Sequence, residues 1–164
     1  DRKVYRKVQG KVPRKVHRKV LPPVVGALQY ILDKYRIRVR GTHVVIVGAG
    51  RLVGKPAAAW FINQGATVSV LNEWTKGMAK FTKEADIVVS GVGKPGLIRG
   101  NIVKNGAIVF DAGYAVKNGT PSGDVDFRSV SNKARLITPV PGGIGPLTVA
   151  MLLKNVVTLA SYGR

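Results

Sequence analysis

The chain has 164 residues, of which 27 are lysine or arginine and 8 are aspartate or glutamate, so its formal net charge is +19 at pH 7. It contains no cysteine, which excludes disulfide bonds, thiolate metal sites and cysteine nucleophiles. The longest apolar segment, Ile144–Ala160, is interrupted by Lys154 and Asn155 and is too short to span a bilayer, so we expect no membrane partner.

Positive charge is concentrated at the beginning of the chain. Residues 1–20 repeat the tripeptide Arg-Lys-Val four times, and Gly10 and Pro13 oppose a continuous helix. We predict a basic low-complexity arm over residues 1–20, followed by one folded domain over residues 21–164. One interpretation of the arm is a solvated tail; the other is contact with RNA or another acidic partner. The cations that would make this contact are Arg2, Lys3, Arg6, Lys7, Lys11, Arg14, Lys15, Arg18 and Lys19.

The first predicted helix and strand follow the arm. Apolar residues recur at helical spacing over Val24–Tyr35, which predicts an amphipathic helix. The next apolar run, Val44–Val47, contains only valine and isoleucine. This composition is typical of a strand that is buried on both faces of a parallel sheet.

A glycine-rich turn follows that strand. Gly48, Gly50 and Gly54 have the spacing G-x-G-x-x-x-G, which is one residue longer than the usual dinucleotide fingerprint. The turn leads into a helix predicted over Lys55–Gln64. A strand that turns sharply into a helix directs free backbone N–H groups and the positive end of the helix dipole at one point, which favours a phosphate. The alternative is a tight structural turn with no nucleotide bound.

Glu73 follows the second predicted strand, Thr67–Leu71. Dinucleotide-binding folds have a carboxylate here that accepts hydrogen bonds from the adenosine ribose hydroxyls. The same carboxylate would repel the 2′-phosphate of NADP, so Glu73 favours NAD. The alternative is an ordinary surface glutamate at the end of a strand.

Two further strands, predicted over Ala85–Val89 and Ala107–Phe110, are also followed by small residues. Strands that alternate with helices and short loops predict an α/β fold with a Rossmann-like, doubly wound, mainly parallel sheet and helices on both faces. Ligands bind such sheets in the crevice at the carboxyl ends of the strands. The candidate cofactor-binding residues are therefore Gly48, Gly50, Arg51, Leu52, Val53, Gly54, Glu73, Gly91, Val92, Gly93, Asp111 and Gly113.

Two acidic residues, Asp124 and Asp126, lie at alternate positions near the end of the chain. No third ligand supports a metal site, so we predict that these side chains fix a loop. The segment Thr138–Thr148 is rich in proline and glycine and offers a ligand mainly backbone and shape. Pro146 is predicted to begin the last helix, which extends to about Ala160.

Five segments resemble one known family. They are the Val44–Pro56 loop, ADIVVSGVGKPG, GAIVFDAG, GDVDF and TPVPGGIGPLTVAMLLKN. Together they resemble the NAD(P)-binding C-terminal domain of bifunctional methylenetetrahydrofolate dehydrogenase/methenyltetrahydrofolate cyclohydrolase, over about residues 21–160. The resemblance implies a nicotinamide cofactor and a wall of the folate cleft formed by Pro139, Val140, Pro141, Gly142 and Gly143.

The chain departs from the family pattern in three places. The family's folate-binding N-terminal domain carries its catalytic lysine in a Y-x-x-x-K motif, whereas Tyr5 is followed four positions later by Gln9. That catalytic domain is therefore interpreted as missing, and we assign no catalytic residue. In the loop pattern G-R-S-x-x-V-G-x-P, Ala49 and Gly50 replace the phosphate-contacting residues. Glu73 replaces a serine of the H-S-x-T pattern.

Two functional hypotheses follow. The first is a structural, RNA-associated subunit of a ribonucleoprotein assembly, of the mitochondrial-ribosome type, built on a recruited cofactor domain that has lost catalysis. The alternative is a fragment or component of an active NAD(P)-dependent methylenetetrahydrofolate dehydrogenase/cyclohydrolase, which would pair as a homodimer. The first hypothesis implies a mitochondrial location, and a cytoplasmic one is the alternative.

Overall fold

The computed structural model describes residues 20–117 and 119–161. Five helices lie within these residues: α1 (Pro23–Lys34), α2 (Gly54–Asn63), α3 (Met78–Thr82), α4 (Phe127–Ser131) and α5 (Ile144–Ala160). The strands are β1 (His43–Val47), β2 (Thr67–Leu71), β3 (Ile87–Ser90), β4 (Ile108–Asp111), β5 (Ala115–Lys117), β6 (Thr120–Ser122) and β7 (Leu136–Ile137). One 3₁₀ turn covers Gly100–Ile102.

The main sheet has five parallel strands in the order β2-β1-β3-β4-β7. The chain passes from the edge strand β2 over β1 to β3, so the direction of winding reverses between β1 and β3. In open α/β sheets a ligand crevice forms at such a reversal, outside the carboxyl ends of the strands. The ends of β1 and β3 are Val47 and Ser90, which pair with each other across the sheet.

Helices cover both faces of this sheet, because alternate residues of each strand point to opposite sides. Val44 and Ile46 of β1 pack in one core with Leu28 of α1 and Phe61 of α2. Val45 belongs to a second core on the other face, with residues of β3 and β4 and with the segments around the 3₁₀ turn and α4. Full burial of a side chain such as Phe61 contributes about 1.5–3 kcal/mol. The predicted doubly wound, parallel α/β fold is thus confirmed.

Small differences in element boundaries have local causes. The last helix begins at Ile144, two residues before the predicted start at Pro146. Backbone N–H groups in the first turn of a helix have no intrahelical acceptor, so a proline two residues into the helix removes no hydrogen bond. The β5–β6 hairpin was not predicted as a pair of strands, and its turn includes Gly119 with a φ of 77°.

Residues 1–19 lie outside the described part of the chain, and so do the nine cations predicted to contact RNA. That contact and the division into an arm and a domain stay predictions. Among residues 20–117 and 119–161, no helix has both the length and the hydrophobicity needed to cross a membrane.

Candidate functional site

The turn between β1 and α2 is held by close backbone contacts. The N–H of Gly48 donates to the carbonyl oxygen of Leu71 at 2.9 Å, and a Cβ atom on Gly54 would overlap the carbonyl oxygen of Gly48. The N–H groups of Gly50, Arg51 and Leu52 have no acceptor within the described residues. They precede the ten-residue helix α2, whose dipole places partial positive charge at the same point. The turn can therefore bind an anion.

A second turn, Ser90–Gly96, packs against the first one. A Cβ atom on Gly91 would lie 2.6 Å from Cγ1 of Val53, so only glycine permits this approach. Asp124 holds the second turn by accepting hydrogen bonds from Ser90 Oγ at 2.7 Å, Val92 N at 2.7 Å and Lys94 N at 2.6 Å. The N–H groups of Val92 and Lys94 are thus engaged within the protein. The second turn offers a ligand its shape more than its donors.

The predicted loop-fixing role of Asp124 and Asp126 is confirmed. Asp124 holds the second turn, as described above, and Asp126 accepts a hydrogen bond from Ser129 N at 3.3 Å as the N-cap of α4. In the described residues no group of three or more histidine or acidic side chains is arranged to hold a metal ion.

Asp111 ends β4 and is 3% exposed. Its Oδ1 accepts hydrogen bonds from Gly113 N at 2.9 Å and Asp124 N at 3.1 Å, and its Oδ2 accepts one from Val125 N at 2.9 Å. Burial raises the pKa of this carboxyl above its ordinary value, and the three N–H donors offset part of the rise because they favour the charged form. The carboxylate that was predicted to bind a cofactor is therefore occupied by backbone donors and holds loops together.

Three adjoining cavities lie along the crevice, and each takes the name of one of its lining residues. The Glu73 cavity, of about 370 Å³, lies at the ends of β1 and β2 and is lined by Gly48, Glu73, Val92 and Lys94 among others. The Arg51 cavity, of about 320 Å³, lies between the two glycine-rich turns. It is lined by Gly50, Arg51, Leu52, Val53, Gly91, Val92, Gly93, Ala112, Gly113 and Tyr114.

The Pro139 cavity, of about 520 Å³, continues the crevice towards the first turns of α1 and α5. All five residues of the predicted folate-cleft wall, Pro139–Gly143, line it together with Leu52, Val53 and Asp111. Leu52 and Val53 also line the Arg51 cavity, so the two spaces adjoin. The crevice thus carries the charged side chains Glu73 and Lys94 at one end and is mainly apolar at the Pro139 end. It suits an elongated ligand with a polar end, a central phosphate and an apolar ring.

The Glu73 end is displayed by a short turn that Asn72 stabilises. The side-chain oxygen of Asn72 accepts hydrogen bonds from Trp74 N at 3.1 Å and Thr75 Oγ1 at 3.2 Å. Glu73 is exposed at the edge of the cavity, and Trp74 beside it is 81% exposed. The carboxylate of Glu73 is therefore available to a ligand.

Comparison with known proteins identifies the family. Residues 22–164 match the family model described as the tetrahydrofolate dehydrogenase/cyclohydrolase, NAD(P)-binding domain. The chain belongs to this family.

Similar proteins agree with that assignment. The bifunctional protein FolD of Hydrogenobaculum sp. is 51% identical over 135 residues, which are 82% of this chain and 48% of the relative. The crystal structure of the bifunctional FolD enzyme of Campylobacter jejuni matches with a TM-score of 0.85 and 43% identity, covering 88% of this chain and 51% of that one. The FolD structure of Trypanosoma brucei, complexed with NADP cofactor and inhibitor, matches with a TM-score of 0.82 and 38% identity, covering 87% and 51%.

The chain spans about half the length of the curated relatives it matches. The similar solved structures from Campylobacter jejuni and Trypanosoma brucei are described as methylenetetrahydrofolate dehydrogenase/cyclohydrolases, which favours the dehydrogenase/cyclohydrolase hypothesis over the ribonucleoprotein hypothesis. Neither the fold nor the comparisons supply support for an RNA-associated or ribosomal role.

Within this tetrahydrofolate dehydrogenase/cyclohydrolase domain, most predicted cofactor residues line one crevice, but Gly54 does not. It is buried at the start of α2, where it allows the helix to approach Gly48. The lining residues that were not predicted include Lys94 in the Glu73 cavity and Tyr114 in the Arg51 and Pro139 cavities. Both follow predicted strands at the carboxyl edge, so their position in the sequence was a usable signal.

The interpretation that the Tyr-x-x-x-Lys spacing is absent from the chain is wrong. A Tyr-x-x-x-Lys spacing is present at Tyr30 and Lys34, although it is absent at Tyr5. Tyr30 and Lys34 lie on α1 and are exposed, and neither lines any of the three crevice cavities. This pair therefore offers no catalytic group to the crevice.

Proposed function

We propose that this chain is the cofactor-binding part of an NAD(P)-dependent methylenetetrahydrofolate dehydrogenase/cyclohydrolase and that it prefers NAD. The observation that carries the proposal is the continuity of three cavities from Glu73, through the Arg51 turn, to Pro139–Gly143. A nicotinamide dinucleotide has the matching sequence of parts: an adenosine, a pyrophosphate and an aromatic ring.

The residues of the crevice fit each of these parts. The unengaged N–H groups of Gly50, Arg51 and Leu52, at the start of α2, suit the pyrophosphate. The side chain of Arg51 lines the same cavity and adds a positive charge. The mainly apolar Pro139 cavity suits the nicotinamide ring and an adjacent pterin ring. The bound nicotinamide would accept a hydride, and the chain would orient it and exclude water.

Preference for NAD rests on Glu73. Its exposed carboxylate lines the adenosine end of the crevice and can accept hydrogen bonds from ribose hydroxyls. A 2′-phosphate at that point would bring two negative groups together, which is unfavourable. Lys94 lines the same cavity and offsets part of this repulsion, so the preference is a matter of degree and not an absolute exclusion.

Turnover is proposed to require a folate-binding domain in addition to residues 20–161. Six large apolar side chains of α5 are each more than half exposed, which supports the presence of a covering partner domain. They are Val149, Leu152, Leu153, Val156, Val157 and Leu159. Pairing as a homodimer stays a prediction from the sequence, and so does the location, whether mitochondrial or cytoplasmic.

The proposal is tested by replacing the matching half of the Hydrogenobaculum FolD relative with residues 20–164 of this chain. The chimera is supplied with methylenetetrahydrofolate and, in separate assays, NAD or NADP, and the absorbance of reduced nicotinamide is followed. We expect NAD reduction that depends on both substrates. A folded chimera that reduces neither NAD nor NADP would contradict the proposal.

A further inference from the structure

Asp124 is a buried carboxylate that connects two distant parts of the chain. It is 0% exposed and lies 34 residues after Ser90, yet its side chain receives three short hydrogen bonds from the second turn. The donors are Ser90 Oγ, Val92 N and Lys94 N, at 2.7, 2.7 and 2.6 Å. Hydrogen bonds to a charged acceptor are about twice as strong as those between neutral groups.

The opposite surface of this turn forms walls of the cofactor crevice. Gly91, Val92 and Gly93 line the Arg51 cavity, and Val92 and Lys94 line the Glu73 cavity. Because Asp124 holds alternate residues of the turn, it determines where the intervening Gly93, with a φ of 78°, can lie. The widths of both cavities therefore depend on a residue that lines neither of them.

Asp124 is itself held from two directions. Its backbone N–H donates to Asp111 Oδ1 at 3.1 Å, and its carbonyl oxygen accepts a hydrogen bond from Ile98 N at 3.1 Å. A Cβ atom on Gly113 would overlap the Asp124 carboxylate, so Gly113 keeps the space that the carboxylate occupies. These contacts fix the carboxylate relative to the end of β4.

We propose that Asp124 is a positioning residue for the dinucleotide, acting through the second turn, Ser90–Gly96. The inference rests on the proposed function, because it assumes that a nicotinamide dinucleotide occupies the crevice. Asp124 does not touch the ligand. It holds the turn in the geometry that the ligand needs before binding, so that no free energy of binding is used to order it.

The substitution Asp124→Asn tests this role because it preserves size and removes one acceptor. An amide nitrogen cannot accept a hydrogen bond, so either Val92 N or Lys94 N would face a donor. We expect the dissociation constant for NAD, measured by titration calorimetry on the full chain, to rise about tenfold in Asp124→Asn. The amide proton resonances of Val92 and Lys94 in the NMR spectrum should move upfield, since they lose a charged acceptor.

Asp126 supplies the matched control, because it lies on the same segment, caps α4 and lines none of the three crevice cavities. Asp126→Ala should lower the melting temperature through loss of the cap and leave the NAD dissociation constant within about twofold of the parent. Weaker binding in Asp124→Asn alone thus separates positioning from general destabilisation.

Ser90→Ala provides a milder variant should Asp124→Asn fail to fold. It removes one donor and leaves both backbone contacts, so we expect NAD to bind about threefold more weakly. The inference would be overturned if whichever of these two variants folds bound NAD with the affinity of the parent, within experimental error. The proposed function would then remain intact. A parent chain that binds neither NAD nor NADP would overturn the proposed function, and the inference with it.

Discussion

The carbonyl oxygen of Gly48 lies directly against Gly54 and occupies the space that a Cβ atom on residue 54 would need. This contact joins the end of β1 to the start of α2, and it distinguishes the three glycines of the first turn. Gly48 has a φ of 102°, which disfavours any other residue, and Gly54 has no room for a side chain. Gly50 has open space, because no atom lies within 4 Å of the point that a Cβ atom on it would occupy.

The first prediction concerns stability. Gly54→Ala should lower the free energy of unfolding by about 3 kcal/mol, because the new methyl group forces α2 away from β1. Gly50→Ala is the matched control and should change stability by less than about 0.5 kcal/mol. Urea denaturation of both variants measures the difference. Equal stabilities would show that the turn adjusts easily and that the glycine spacing has no packing role.

The second prediction concerns the phosphate site. Gly50 stands where the family pattern has a phosphate-contacting serine, and its open surroundings leave room for that side chain. Gly50→Ser should therefore bind NAD about threefold to tenfold more tightly than Gly50→Ala, because it adds one hydroxyl donor near the start of α2. Calorimetric titration of the two variants with NAD measures the contribution of the hydroxyl group to affinity. Identical affinities would place the pyrophosphate elsewhere.

Cofactor choice gives the third prediction. Glu73→Ser removes the carboxylate and leaves Lys94 as the charged side chain of that cavity, so NADP should bind about tenfold more tightly and NAD more weakly. Glu84→Gln removes the same charge from an exposed position outside the three cavities and should leave the ratio of affinities unchanged. The preference for NAD would be misassigned if Glu73→Ser did not alter the ratio.

The fourth prediction concerns pH. The hydrogen bond from Lys104 Nζ, 2.6 Å from Asp86 Oδ1, lowers the pKa of Asp86 below its ordinary value. A depressed carboxyl pKa stabilises the fold above the unfolded-state value and loses that effect as the pH falls through the folded-state value. Both side chains are more than two-fifths exposed, so the contribution is below about 1 kcal/mol.

Lys104→Met should therefore unfold more readily at neutral pH and match the parent in strong acid. Lys133→Met is the control, because it removes an exposed cation that forms no ion pair within the described residues. Acid titration of stability distinguishes the two variants. A loss of stability in Lys104→Met that persisted at the lowest pH would point to a packing effect and not to the ion pair.

Strands and turns of this fold are largely predictable because they are local. Buried parallel strands are continuous runs of valine and isoleucine, and the carboxyl ends of such strands share one edge. The strand β7, with two residues, carries no such signal, and its pairing with β4 depends on tertiary contacts. The dependence on tertiary contacts also explains why the role of Asp111 was not predicted. Its position after a strand resembles that of a ligand-binding carboxylate, but the donors that occupy it come from residues 113, 124 and 125.

The role of Asp124 was predictable only in kind. Two acidic residues without a third ligand predicted a loop-fixing function, yet nothing local indicated which loop. The partner turn lies 34 residues earlier and is brought alongside only when β3 and β4 pair. Side chains that shape a site from a distance are thus found from the folded structure, whereas the glycines of the crevice are found from their spacing.

Titration calorimetry of the chain with NAD, and separately with NADP, measures directly whether the crevice binds a dinucleotide. We expect saturable binding of one dinucleotide per chain, with NAD bound more tightly than NADP. A folded chain that shows no heat of binding with either dinucleotide would contradict it.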